Sequence, residues 1–388
     1  MGALNKRDFN TSIIVFLSAI IISVSCGPKQ DKVEKIVEDG VEVVINHLEP
    51  YRIRGELSTF ELEKEVTVDT EREDLAELGI SRIRSADVDR DGNVYFISNA
   101  QIFKFDSQGS FIQTIGQEGK GPGEIHRAGE LRLTVDQKIS IYDAGNRKFL
   151  FFNKDGSLTK EIKDTSKISV FGGAMCLDNG NFLFEEIEFD PEGKEMSYHL
   201  IILDEAFDKI KALDGKVTRE NPLQSARYNL FDPYFSYQIT EDRIYLVNPQ
   251  QEVLEIELYN LQGELLKKIK KQSRKIKIPE EYEQKIINSM REGSMWDLLK
   301  DKVYMQENFP PLKSLYVDEA GRLLVETYEK GENPGEYMLD IFNSDGVFVG
   351  RKSLKEALGR KFKNSRMYCA HEKESGYQEL AVYKMKWK

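Results

Sequence analysis

Three stretches of this 388-residue chain carry residue types from which binding or catalytic chemistry is commonly built. Asp87-Val-Asp89-Arg-Asp91-Gly92 begins like a calcium loop, in which alternate carboxylates converge on one ion. That loop also needs Glu at its twelfth position and a helix on either side. Ser98 stands at the twelfth position and the flanks have strand character, so the segment reads as a hairpin. Asp87 and Asp89 then share one face of a strand. Gly116 to Gly123 is rich enough in glycine to suggest a phosphate cradle. A phosphate loop requires Gly-Lys followed by Ser or Thr at a helix start, whereas Gly119-Lys120 is followed by Gly121-Pro122. This segment reads as a connection between structural units. The four histidines, His47, His126, His199 and His371, have no pair at helical or hairpin ligand spacing. No nucleophile-elbow motif is present. Cys176 and Cys369 are expected as small buried hydrophobes, with a disulfide between distant units as the alternative.

Arginine and aromatic side chains form the other candidate chemistry. Arg127, Arg147 and the segment Arg219 to Tyr237 fall in long or inter-unit loops. That segment holds Arg227, Tyr228, Phe231, Tyr234, Phe235 and Tyr237. Guanidinium groups beside aromatic faces can hydrogen-bond and stack on a sugar, a peptide or an anion. The candidate ligand-binding residues are therefore Arg127, Arg147, Arg227, Tyr228 and Tyr234. The same rings would serve equally to cap a hydrophobic core beneath a long loop.

Composition narrows the partners. Asp+Glu number 66 against 55 Lys+Arg, a net charge of -11. Such a surface is poorly suited to a phosphate backbone, so no nucleic-acid partner is expected. With 40% hydrophobic and 31% charged residues, neither a disordered chain nor a multi-span membrane protein fits. Three cysteines exclude a disulfide scaffold. The chain begins with a basic pair, Lys6-Arg7, an apolar run from Ile13 to Val24, and Ser25-Cys26-Gly27. The run is short for a permanent span of ~30 Å of hydrocarbon and suits a cleaved secretory signal. Small residues before a lone cysteine resemble the lipobox of bacterial lipoproteins. The resemblance implies a signal peptide over 1–25, lipid attachment at Cys26, and a tether over 26–40. Two or three acyl chains anchor stably where one does not. Gly27 differs from the aspartate that retains some lipoproteins at the inner membrane, which implies the outer membrane of a Gram-negative envelope, on the periplasmic or the surface side. Ser23 stands where a lipobox commonly has an aliphatic residue, so an ordinary signal peptide or a short anchor helix remains the alternative.

The body of the chain, 41–388, is a repeat. Phe105-Asp-Ser-Gln-Gly109 is matched by Phe152-Asn-Lys-Asp-Gly156, Tyr259-Asn-Leu-Gln-Gly263 and Phe342-Asn-Ser-Asp-Gly346. Leu203-Asp-Glu-Ala-Phe-Asp208 is a degenerate copy. Each turn lies between runs with strand periodicity, and glycine tolerates the positive φ that tight hairpins require. The spacing is about 50 residues, except for an excess at Pro279 to Tyr304 that reads as a helical insertion. Four short strands per unit at this period predict an all-β, six-bladed β-propeller with four-stranded antiparallel blades. Tyr368-Cys-Ala and Gln378 to Trp387 belong to the sixth blade, and Glu63 to Val68 supplies its missing strand. Joining both chain ends in one blade removes free sheet edges. The insertion could lie across the mouth of the channel as a lid or pack outside its blade.

The run from Leu78 through Asp87-Val-Asp-Arg-Asp-Gly-Asn-Val-Tyr95 and Ile102-Phe-Lys-Phe-Asp106 to Gly119-Lys-Gly-Pro-Gly-Glu-Ile125 resembles the six-bladed β-propeller lipoproteins related to NHL repeats. The resemblance implies a binding platform for a small molecule, glycan, peptide or protein, with no cofactor. In a minority of six-bladed relatives it implies a metal-dependent hydrolase or lyase, with one divalent ion, calcium or zinc, in the central channel.

Overall fold

The structure is a computed structural model that describes residues 33–80, 82–166, 170–231, 235–247, 253–293 and 295–388, with backbone alone at 170–172. Cys26 and Tyr234 lie outside the described residues. Runs of Val, Ile, Phe and Tyr form strands, some of them, such as Val94–Ser98 and Ile139–Asp143, buried at every position, and Asp/Asn-containing turns fold them back antiparallel. Blade 1 comprises Ala86–Val88, Val94–Ser98, Gln101–Phe105 and Phe111–Ile115. Blade 2 comprises Ala128–Leu133, Ile139–Asp143, Lys148–Phe152 and Leu158–Lys163. Blade 3 is Val170–Cys176, Phe182–Phe189, Glu195–Leu203 and Lys209–Glu220, and blade 4 is Ser236–Ile239, Arg243–Val247, Leu254–Asn260 and Leu265–Lys271. Blade 5 is Ser314–Val317, Leu323–Lys330, Glu336–Phe342 and Phe348–Lys355. Blade 6 takes Leu358–Lys363, Arg366–Glu372 and Gln378–Trp387 from the C-terminus. The fold is the expected six-bladed propeller.

Three N-terminal strands strap the ring from outside. They are β1 (Glu34–Glu38), β2 (Val41–Asn46) and β3 (Phe60–Asp69). The β1–β2 hairpin joins blade 4, with β2 parallel to Leu265–Lys271, so that this blade has six strands. Strand β1 thus occupies part of the segment expected as tether. The chain then crosses blade 5, where the Tyr51 N–H donates to Phe348 O at 2.8 Å. Here backbones touch: a Cβ on Gly350 would lie 1.7 Å from Ser58 O. Finally β3 pairs antiparallel with Gln378–Trp387 as the outer strand of blade 6, from Phe60↔Trp387 to Asp69↔Glu379. The expected closure is therefore observed.

The core is divided among the joints between blades. Six buried clusters correspond to the six blade–blade interfaces, for example Tyr95, Ile102 and Ile115 of blade 1 against Leu131, Ile141 and Leu150 of blade 2. The repeated turns rest on these joints. In four copies a glycine holds positive φ: Gly109, Gly156, Gly263 and Gly346. A Cβ on Gly109 would come within 2.7 Å of Val66 in blade 6, and one on Gly346 within 2.6 Å of Ile269 in blade 4. In three of these turns the side chain of the first residue, Asp106, Asn260 or Asn343, accepts two backbone N–H groups, as when Asp106 Oδ1 binds Gln108 N at 2.9 Å and Ser110 N at 2.8 Å. In the degenerate copy Asp204 does the same, but Phe207 takes the glycine position at φ +65°. Its ring stacks on Phe182 at 4.9 Å, in the core between blades 2 and 3.

The helical insertion lies between blades 4 and 5. A short α1 (Glu73–Ala76) precedes blade 1; the insertion holds α2 (Glu280–Arg291) and α3 (Trp296–Leu299). Three glutamates in the first turn of α2 and Arg291 in its last complement the helix dipole.

Candidate functional site

Inner strands run from one face of the ring to the other. The upper face carries the connections from blade to blade; the lower face carries the first and last turn of each blade. A cavity of about 1160 Å³ follows the axis and is lined by all six inner strands. A drug-sized ligand site typically occupies ~300–1,000 Å³, so the space is ample for a small molecule.

The lower mouth is crossed by side chains. Arg90, in the first turn of blade 1, lies 3.6 Å from Glu241, in the first turn of blade 4. Blades 1 and 4 are opposite one another in a ring of six, so this pair spans the axis. Arg90 also donates to Val135 O of blade 2 at 3.3 Å. Arg132 of blade 2 is buried, forms an ion pair with Asp178 and donates to Thr240 O of blade 4 at 3.2 Å.

Within the cavity wall, Asp87 joins three blades. Its Oδ2 accepts the Leu133 N–H of blade 2 at 2.9 Å, and its Oδ1 lies 3.4 Å from Lys361 Nζ and 3.9 Å from Lys363 Nζ of blade 6. Burial alone would raise its pKa, but the two lysines and the backbone donors outweigh it and hold the carboxyl below the ordinary value. Arg360, also in the wall, donates to Glu326 Oε2 at 2.6 Å, and the Tyr316 hydroxyl donates to the same oxygen at 3.2 Å. Tyr237 of blade 4 donates to Glu185 of blade 3 at 3.0 Å.

The upper mouth contrasts with this pairing. Arg82 and Arg84, at the start of the inner strand of blade 1, are exposed and line the cavity. Glu130 of blade 2 accepts the Ser85 hydroxyl at 2.6 Å beside them.

Of the candidate ligand-binding residues, the described ones, Arg127, Arg147, Arg227 and Tyr228, are on the upper face and do not line the cavity, whereas Phe235 and Tyr237 from the same segment do. Arg127 is exposed in the connection to blade 2, with its backbone N–H held by Asp143 at 2.8 Å. Arg147 donates to Asp164 and to Ser166 O, each at 2.8 Å, and Asp164 also accepts the Tyr142 hydroxyl. Arg227 stacks 3.9 Å over the Tyr304 ring and lies 3.6 Å from Glu220. Tyr228 pairs with Val303 in a short parallel ladder that ties the blade 3–4 connection to the insertion. Arg147, Arg227 and Tyr228 thus have partners within the connections that carry them.

The insertion does not line the cavity either. Tyr282 of α2 packs at 4.9 Å on Phe309, which stacks on Tyr328 at 4.1 Å, with Phe231 against all three rings. The rings of this region cap a core. Cys176 and Cys369 are buried free thiols, and burial pushes the Cys369 thiol up to about 11. Among the described residues no three His, Cys, Asp or Glu side chains are placed together to hold a divalent ion.

Sequence reasoning missed Arg82, Arg84, Lys361 and Lys363. Their signal is charge at alternate positions, Arg-x-Arg just before the first strand of blade 1 and Lys-x-Lys within the first strand of blade 6.

The propeller model of one family matches residues 70–318, from the loop before blade 1 into blade 5. The chain belongs to the 6-bladed beta-propeller family DUF5128. Among solved structures, a Bacteroides fragilis NCTC 9343 protein described as a candidate exported protein is 13% identical, with TM-score 0.51, covering 89% of this chain and 99% of that one. A member of the duf4221 family from Bacteroides vulgatus is 12% identical, also with TM-score 0.51, covering 86% and 100%. At such identities the likeness concerns the fold alone. No curated protein matches the chain.

Proposed function

We propose that this chain is a lipid-anchored binding module of the bacterial cell envelope that admits a small polar ligand to its axial cavity from the upper face. The observation that carries the reading is the cavity itself. All six inner strands line it, the Arg90–Glu241 pair crosses its lower mouth, and its wall alternates rings such as Tyr237 and Tyr316 with charged groups. A ring of packed blades supplies a rigid frame, so little ordering would accompany binding. Export is supported by the basic pair, apolar run and Ser25-Cys26-Gly27 at the start of the chain, and by the description of the Bacteroides fragilis neighbour. Lipidation at Cys26 would place the module on the outer membrane.

One preparation tests both parts. Native mass spectrometry of the chain purified from membranes of its source is expected to show a diacyl or triacyl modification on Cys26 and a second, non-covalent mass released on denaturation. Cys26→Ala is expected to move the protein from the membrane fraction to the soluble fraction. Retention of Cys26→Ala in the membrane rejects the anchor; a preparation with no non-covalent mass, and no stabilisation by metabolite extracts, rejects the ligand-binding reading.

A further inference from the structure

We propose that Arg82 and Arg84 form an oxyanion subsite at the upper mouth, so that the ligand of the cavity carries a carboxylate or phosphate group at one end. This rests on the cavity being a ligand site, and deepens that reading by assigning the charge of what enters.

The first support is an imbalance of pairing. In a chain with net charge -11, cationic side chains have an excess of carboxylates to choose from. Lys361 and Lys363 face Asp87, Arg360 faces Glu326, and Arg132 faces Asp178. Arg82 and Arg84 line the same cavity, and among the described residues neither guanidinium has a hydrogen-bond or ion-pair partner. Each offers five N–H donors in a planar fork that matches an oxyanion.

The second support is the backbone beneath them. Arg82 N–H reaches Ser98 Oγ at 3.4 Å, Ile83 N–H donates to Gln378 Oε1 at 2.6 Å, and Arg84 N–H donates to Ile97 O at 2.9 Å. Gln378 is buried and is itself fixed by Thr70, whose hydroxyl donates to Gln378 O at 2.8 Å. The strand start is thus pinned to blade 6 and to its own blade. Two guanidinium groups separated by one residue leave that strand at a set spacing and remain free to close on a ligand. Gln378 acts as a positioning residue for the pair.

The third support is the neighbouring charge. Arg82 and Arg84 at the start of blade 1 and Lys361 and Lys363 of the adjacent blade 6 line one sector of the wall, where four cations stand against the carboxylates Asp87, Glu130 and Glu372 although the protein as a whole is acidic. An anionic group would meet attraction at the mouth and again deeper along the same wall.

The test uses the full chain with citrate and inorganic phosphate as probes, and phenylglyoxal as a guanidinium reagent read out by peptide mass spectrometry. Arg127, exposed on the same face and outside the cavity, is the internal control. Citrate or phosphate is expected to slow modification of Arg82 and Arg84 and to leave Arg127 unchanged; which probe protects better separates a carboxylate from a phosphate ligand. Arg82→Gln/Arg84→Gln is expected to lower affinity for the protecting probe about tenfold or more with an unchanged urea midpoint. Equal protection of Arg127, or no protection by either probe, overturns the subsite. If the mass recovered from native protein binds the double variant with undiminished affinity, the subsite fails while the cavity reading stands.

Discussion

Asp87 is a carboxylate enclosed where blades 6, 1 and 2 meet, and the enclosure makes its charge consequential. Its two lysine neighbours are only part-buried, while the Leu133 and Val88 N–H groups donate to it inside the wall. A group whose folded-state pKa is lowered stabilises the fold above its unfolded pKa and loses that contribution as the pH falls through the folded value. Stability of the ring is therefore expected to decline as the pH drops below about 4, the ordinary range of an aspartate. Asp87→Asn retains the shape and an acceptor but removes the charge. It is expected to lower stability by about 2 kcal/mol at neutral pH, the scale of hydrogen bonds to a charged group, and to flatten the acid limb of the stability profile. Urea titrations between pH 3 and 7 measure both. An acid limb of identical steepness in Asp87→Asn and the parent would assign the pH dependence to other carboxylates.

The repeated turn is the element on which the blades are registered, and its irregular copy separates two forces. Four copies place glycine at positive φ, where a Cβ would crowd the preceding blade, most closely at Gly109, Gly263 and Gly346. Blade 3 places Phe207 there, and the ring fills the core between blades 2 and 3. The left-handed backbone costs an ordinary residue about 1–2 kcal/mol, and the buried ring contributes about 3–5 kcal/mol relative to alanine. Packing therefore outweighs strain. Phe207→Ala removes the ring and keeps the strain, whereas Phe207→Gly removes both, so glycine should be the milder substitution by about 1 kcal/mol. Chemical denaturation of the pair checks the order, and an alanine variant as stable as the glycine variant would contradict this account. These turns also explain what could be read from sequence. Glycine at positive φ and an Asp or Asn that caps the turn are local requirements, so five blades and their spacing were visible in residue types alone. The sixth followed from the strand character of both chain ends. The site was not visible, because whether Arg84 or Lys361 faces the axis depends on how six separate strands are tilted together. Arg147 and Arg227 had the chemistry of a ligand site but found Asp164, Glu220 and Tyr304 first.

Closure of the ring depends on one strand drawn from the far end of the chain. Without β3, Gln378–Trp387 would be a ten-residue open edge, and Phe60 and Val68, both buried, would leave the clusters at either side of blade 6. The β1–β2 hairpin and the strap over blade 5 cover the outer edges of blades that already have four strands of their own. The two N-terminal devices should therefore fail differently. A chain starting at Thr59 keeps β3 and is expected to remain monomeric, unfolding in one transition at a lowered midpoint. A chain starting at Glu71 loses β3, and its unpaired edge invites strand addition from other molecules. It is expected to elute as aggregates in size-exclusion chromatography, and a peptide spanning 60–70 added during refolding should restore the monomer, since the pairing in blade 6 requires no chain connection through β2. A monomeric, cooperatively folding chain starting at Glu71, without the peptide, would show that the blade-to-blade cores hold the ring closed unaided.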